Sequence, residues 1–271
     1  MKKEELVVAV LQHKHINHLD DIREELMAST LVSDVKKDIL IIVKDQLDFV
    51  KTCINSIERN TKNYNLYIWD NASREDTKFY LENLHAKVLL RSEENQGFSS
   101  PNNRLAELTE SPYIILLNSD TEVKLGWDKN MIGWLQSHPN VKEVGYAGAL
   151  LKENFKGGEI GFGGDIDYIP GWSLCISRNT YNQFGLFDEL NLQFAYCEDA
   201  DLSLRIREAG YEIYALYADL VVHYENKTVK EINQNQEFRK WFYEIFEKNH
   251  DYMRNRWKHM IRNVSPCGKS T

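Results

Sequence analysis

Cysteine is scarce and scattered. Cys53, Cys175, Cys197 and Cys267 form no C-x-x-C pair, which argues against a zinc ribbon or a disulfide framework and suits free thiols in a reducing compartment. Positive charge is also short: Lys and Arg total 33 against 41 Asp and Glu, for a net charge of −8. A protein that clamps nucleic acid over a broad surface needs a basic face, so that class is disfavoured and no nucleic-acid partner is expected. Long apolar runs are missing too. The stretch Leu6 to Leu11 is too short for a signal peptide or a membrane span, and nothing longer follows. Repeats and low-complexity segments are likewise missing. The expectation is a soluble cytoplasmic protein. What is present is 271 residues, 42% hydrophobic and 11% aromatic, enough to bury one large domain, or one domain with an appendage.

From Asp38 short apolar runs alternate with amphipathic segments, the pattern of β-α units feeding a largely parallel sheet. "DILIIV", "NLYIWD", "KVLLR" and "YIILL" read as four strands. "QLDFVKTCINSIERN" is a helix with Leu47, Val50, Ile54 and Ile57 on one stripe. Ser73 and Asp76 form an S-x-x-D capping box opening "REDTKFYLENL". Pro101 falls in the first turn of "SPNNRLAELT", and "WDKNMIGWLQSH" ends before Pro139. Ligands of such open sheets bind at the C-terminal rim of the strands.

Beyond residue 140 the rhythm changes. Five of fourteen glycines lie between Gly157 and Gly164, where a loop or hairpin is expected and no dinucleotide fingerprint, since no strand leads directly into a helix. "EDADLSLRIREAG" is a helix with Leu202, Ile206 and Ala209 buried and Gly210 as its stop; "EIYALY" and "DLVVHY" are further strands. Three regions are therefore expected: an N-terminal extension at 1–33 carrying the amphipathic helix "INHLDDIREELMAST", a main α/β domain at 34–228, and a C-terminal region at 229–271, helical from Val229 to Arg262 and then a polar tail. In the last, "RNRWKHMIR" places five cationic-capable side chains among Trp257, Met260 and Ile261. That pattern can lie at the inner face of an anionic membrane or pack on its own domain.

Three carboxylates stand at adjacent strand tips: Asp45 after "IIVK", Asp70 in "IWDNAS", and Asp120 in "YIILLNSDTEV". Together they are more specific than any one, because each adds repulsion unless a cation or a ligand offsets it. Asp120 can hold Mg²⁺ or Mn²⁺ against a diphosphate or cap a turn. Asp45 can bind a ligand or serve as the N-cap of the next helix. Glu198 and Asp199 open a helix about 100° apart, so only one is expected to face a given ligand, kept anionic by the helix dipole. His223 breaks an apolar strand in "LVVHYE", a structural histidine or a metal donor.

In their order, "IIVKDQLDFVKTCINSI", "IWDNAS", "NQGFSSPNNRLAE", "YIILLNSDTEV", "GWSLCISRNTYNQFGLFDE" and "EDADLSLRIREAG" resemble the motif blocks of family 2 glycosyltransferases, over roughly Asp38 to Glu225. The resemblance implies a GT-A fold, with a mostly parallel central sheet flanked by helices. It also implies inverting transfer of a sugar from a nucleotide-diphosphate donor, UDP-sugar favoured, to an acceptor hydroxyl on a glycan, a lipid-linked molecule or a protein, as in polysaccharide or glycoconjugate synthesis. Carried over by position, Asp45, Asp70, Asn71, Asn95, Gly97, Asn103, Asn118, Ser119 and Asp120 would bind the donor. Asp120 and His223 would hold the divalent cation. Gly171 and Trp172 would lie near sugar and acceptor, and Asp199 would be the base with Glu198 beside it. The sequence departs from the family's pattern where Asn118 replaces the first Asp of D-x-D. It departs again where Lys44 and Asp45 stand in place of an aromatic and Asn, and where Leu105 stands in place of Gly.

Three other readings use similar parts. A nucleotidyltransferase needs a Gly-rich basic loop after its first strand, which "VKDQLD" lacks. A dehalogenase-like phosphatase needs a nucleophilic Asp where Asn118 stands. A non-catalytic nucleotide-sugar-binding module keeps the fold without turnover. Whether the end segments serve a homo-oligomer is left open by the sequence.

Overall fold

A computed structural model describes residues 18–32, 34–152, 154–155, 158–224 and 236–260. The rest of the N-terminal extension, Cys267, and the expected helical residues 229–235 and 261–262 lie outside the described residues.

In chain order the first elements are α1 (Leu19–Leu31), β1 (Lys37–Val43), α2 (Leu47–Asn60), β2 (Tyr64–Asn71), α3 (Glu75–Glu82), β3 (Val88–Ser92), α4 (Ser99–Glu107), β4 (Tyr113–Leu117), β5 (Thr121–Val123) and α5 (Trp127–Ser137). There follow β6 (Val141–Gly145), β7 (Gly148–Ala149), β8 (Ile160–Gly161), β9 (Ser173–Ser177), α6 (Arg178–Phe184), α7 (Glu198–Glu208), β10 (Glu212–Ala215), β11 (Val221–His223) and α8 (Gln236–Trp257). The sheet runs β10-β6-β9-β4-β1-β2-β3. Strands β4, β1, β2 and β3 are parallel neighbours, and β9 enters antiparallel between β4 and β6. The four apolar runs therefore do align with one C-terminal rim. They read as unbroken runs because both faces are covered: Ile39, Ile41 and Val43 pack with α1, α2 and α5, while Leu40 packs with α4 and α7.

Several local expectations give way. No capping box forms at α3, whose N-cap is Arg74. The Ser73 hydroxyl instead accepts from the Asp45 N–H at 3.0 Å. Asp45 is not an N-cap either, because Gln46 takes that place in a left-handed conformation, φ 57°. Ala209 is exposed, and α7 buries Ala200 and Leu204 against α8 while Leu202 and Ile206 face the sheet. Among its described residues the glycine-rich stretch yields the two-residue ladder of β7 with β8 and an isolated bridge from Gly163 to Ala215.

Both end helices pack on the other elements. Ile22, Leu26 and Ala28 of α1 join the core beneath the sheet, and the buried Glu25 accepts from the Tyr217 and Ala218 N–H groups at 2.8 and 2.9 Å. On α8, Met253 and Trp257 are buried against α7, and the Trp257 indole N–H donates to Asp201 at 2.8 Å. Arg256 pairs with Asp188 at 3.3 Å. Of the two readings of the basic aromatic stretch, the described part therefore follows packing on its own domain. No helix among the described residues is long and apolar enough to cross a membrane.

Candidate active site

The tip of β4 is tied down before it reaches Asp120. The Asn118 N–H donates to the Trp172 carbonyl at 2.9 Å, and the Thr121 hydroxyl donates to the Asn118 carbonyl at 2.7 Å. The chain then enters β5, whose antiparallel partner is β11, with His223 opposite Thr121. The register brings the His223 Nε2 to 3.2 Å from the Asp120 Oδ1, each side chain 17% exposed. The Trp172 ring lies nearly parallel to the imidazole, centroids 4.8 Å apart, which fixes its orientation. Among the described residues no third His, Cys, Asp or Glu joins them in a metal-binding group.

Glu198 and Asp199 lie in the wall of the same cavity, which has a volume of about 640 Å³ and is also lined by Asn118, Ser119, Asp120 and His223. Both residues line it. The Asp199 Oδ2 accepts from the Gly171 N–H at 2.9 Å and its Oδ1 from the Ala200 N–H at 2.8 Å. Gly171 allows this approach: a Cβ there would stand 3.0 Å from the Phe98 ring and 3.6 Å from the Asp199 Cβ. The Glu198 Oε2 is buried with no hydrogen-bond partner among the described residues. Burial raises the pKa of both acids, and the Asp199 charge raises Glu198 further. Burial thus overrides the dipole at this helix end. The Gly171 and Ala200 N–H groups oppose the rise at Asp199, whereas at Glu198 burial and the neighbouring charge are opposed only by its own backbone N–H.

The other two strand-tip carboxylates are engaged within the protein. Asp70 is fully buried, 2.7 Å from the Arg91 Nε, and also accepts from the Ser73 N–H at 2.9 Å. Asp45 pairs with Lys44 at 2.8 Å and accepts from the Arg74 N–H at 2.7 Å. Burial opposes its ionisation, but the Arg74 N–H and the Lys44 ammonium outweigh that and lower its pKa. Neither carboxylate lines the cavity. The repulsion expected among three acids is thus offset by the chain's own cations for two of them. Asn103 also lies outside the cavity, exchanging hydrogen bonds with the Phe187 backbone at 2.9 and 3.0 Å.

Asn71, Asn95 and Gly97 do line it. The Asn71 amide donates to the Asn95 Oδ1 and the Gly97 carbonyl and accepts from the Gln96 N–H, at 2.7 to 2.9 Å. Gly97 has φ +75° and abuts the Phe194 carbonyl, where a Cβ would clash at 2.2 Å. Sequence reasoning missed the opposite wall, formed by the loop at Phe194, Tyr196 and Cys197 and by Phe242, Phe246 and Met253 of α8. Its only signal was the aromatic content of the C-terminal helix.

Residues 38–152, from β1 through β7, match the family model described as "Glycosyl transferase family 2". No curated protein matches. The chain is similar in structure to the mannosyltransferase PcManGT from Pyrobaculum calidifontis, solved in complex with GDP-Man and Mn²⁺. The TM-score is 0.56 at 12% identity over 95% of this chain and 81% of that one. It is also similar to residues 1–349 of TarS from S. aureus, with a TM-score of 0.52 at 13% identity, covering 68% of this chain and 58% of that one.

Proposed function

We propose that this chain, a glycosyltransferase of GT-A fold with a family 2 segment at residues 38–152, transfers a sugar with inversion from a nucleotide-diphosphate donor, UDP-sugar first, to an acceptor hydroxyl. The observation that carries this reading is the placement of two different acid sites on one cavity: the Asp120–His223 pair at one end of the strand rim and the Glu198–Asp199 pair at the start of α7.

The first pair fits a divalent cation. Two ligands side by side on one octahedral ion lie about 3 Å apart, and a carboxylate oxygen with an imidazole nitrogen suits Mn²⁺ or Mg²⁺. Asp120 and His223 would hold it, and the bound ion would neutralise charge on the departing diphosphate. Asn118 and Ser119 add polar groups without further negative charge. Asp45 and Asp70 act at one remove: by binding Ser73 and Arg74 they fold the rim on which the donor rests.

Asp199 accepts the acceptor's hydroxyl proton. The acceptor oxygen forms its bond to the anomeric carbon as the bond from that carbon to the phosphate oxygen breaks, and the electron pair leaves with the nucleoside diphosphate. The Gly171 and Ala200 N–H groups aim Asp199 and favour its anion, and burial disfavours a second charge on Glu198. The similarity to a protein solved with GDP-Man and Mn²⁺ supports a nucleotide-sugar donor and a divalent cation here.

The test is nucleoside diphosphate release from UDP-glucose, UDP-galactose, UDP-N-acetylglucosamine and GDP-mannose, each with Mn²⁺ and with chelator. One donor is expected to be turned over only with metal, and Asp199→Asn to abolish that turnover. Full turnover by Asp199→Asn would remove it from the base role.

A further inference from the structure

The loop that delivers the base is held by a residue far away in sequence. Phe194, Tyr196 and Cys197 all have positive φ, at 66°, 75° and 77°. Non-glycine residues adopt that region only where the surroundings impose it. The segment meets Asn249, in the middle of α8 and fully buried. Its amide NH₂ donates to the carbonyls of Gln193 at 2.9 Å, Ala195 at 3.2 Å and Tyr196 at 3.2 Å. Its Oδ1 accepts from the Gln193 N–H at 3.3 Å. One side chain thus occupies four backbone groups of a segment that ends directly at Glu198 and Asp199.

The rings around the loop add packing but no directional hold. Phe194 meets Trp241 edge-on at 4.9 Å, and Tyr196 meets Phe246 edge-on at 5.3 Å. Such contacts tolerate sliding, whereas four converging hydrogen bonds do not. The loop also touches the donor side, where the Phe98 N–H donates to the Phe194 carbonyl at 2.5 Å. That side is held independently by Asn71, so loosening the loop displaces Asp199 before it disturbs the donor wall.

We propose that Asn249 is a positioning residue for transfer: it locks the left-handed loop Phe194–Cys197 and thereby fixes the Asp199 carboxylate against its Gly171 and Ala200 donors. This rests on the reading of Asp199 as the base. It assigns a role in the reaction to α8, which lies outside the segment matched by the family model.

The test is Asn249→Asp, which keeps the side chain's shape and its bond from Gln193 but turns an acceptor oxygen toward three carbonyls. The control is Trp257→Phe, which removes the α8 bond to Asp201 two turns further along the same helix. Initial rates are measured on the nucleotide sugar turned over by the wild type, with Tm recorded for each variant. Asn249→Asp is expected to lower kcat about 10²-fold, the order of a misplacement near 1 Å, with donor KM little changed. Trp257→Phe is expected to lower Tm and keep kcat. Wild-type kcat in folded Asn249→Asp would overturn the clamp, as would a kcat loss that tracks Tm across both variants. If Asn249→Asp does not fold, Asn249→Ser, which keeps one donor, is read against the same outcomes. Asp199→Asn run beside them separates the two failures: its full turnover rejects the base, while its inactivity beside a fully active Asn249→Asp rejects only the clamp.

Discussion

The carboxylates behind the strand rim and those in the cavity wall are treated in opposite ways. On the side of β1 and β2, Asp45 and Asp70 are saturated by Lys44, Arg74, Arg91 and backbone N–H groups. At the start of α7, among the described residues, Glu198 keeps a buried oxygen with no partner, and Asp199 has backbone donors but no cation paired with it. A saturated carboxylate is a construction piece. An under-saturated one beside a cavity is available for chemistry.

That contrast can be broken by substitution, and the largest effect belongs to the second pair. Asp199→Asn is expected to reduce turnover by about 10²- to 10⁴-fold, the usual worth of a positioned base, with Tm and donor KM close to wild type in steady-state and thermal-melt measurements. Arg91→Ala should do the converse. Leaving the Asp70 carboxylate buried without its cation is expected to cost about 2–3 kcal/mol of stability in denaturant titration, while kcat of the folded enzyme stays near the wild-type value. If Arg91→Ala instead abolished turnover at unchanged stability, the donor-side acids would belong to the chemistry.

Smaller effects sharpen the picture within the second group. Glu198→Gln replaces an acid whose ionisation is opposed by burial and by the Asp199 charge, so most of the wild-type kcat should survive at pH 7; loss on the scale of Asp199→Asn would place the working charge on Glu198. Glu143, buried behind this site with its Oε2 accepting from Ser203 at 2.7 Å, is pushed by burial from 4.5 to about 8. Its folded form therefore binds a proton that the unfolded chain releases. The stability it contributes is complete below pH 4.5 and is lost as pH rises through about 8. Glu143→Gln should flatten the fall in Tm between pH 5 and 8, checked by melts across that range.

The same contrast explains what could be read from the sequence. Strands β1, β2 and β4 were legible because burial on both faces leaves apolar runs, β3 because its half-buried Val88, Leu89 and Leu90 pack on both cores, and their shared rim follows from parallel order. The meeting of Asp120 with His223 was legible as a pair across about a hundred residues, although what produces it is the β5–β11 register. Hydrogen-bond partners were not legible. Ser73 and Asp76 have capping-box spacing, yet Ser73 spends its hydroxyl on Asp45. Asp70 sits at a strand tip like Asp120, but Arg91 arrives from the neighbouring strand to cover it. Asn249 lies in a polar helix with no motif around it, and its importance exists only in the backbone it meets.

The central claim is that Asp120 and His223 hold a cation-dependent nucleotide-sugar site. It is tested most directly by thermal melts of the wild type, Asp120→Ala and His223→Ala with UDP-glucose, UDP-galactose, UDP-N-acetylglucosamine or GDP-mannose, each with and without Mn²⁺. A bound donor raises Tm with the logarithm of its concentration over its Kd. The expected result is a rise in wild-type Tm with one donor only when Mn²⁺ is present, reduced in His223→Ala and absent in Asp120→Ala. Equal stabilisation with and without Mn²⁺, or the full rise retained by Asp120→Ala, would contradict it.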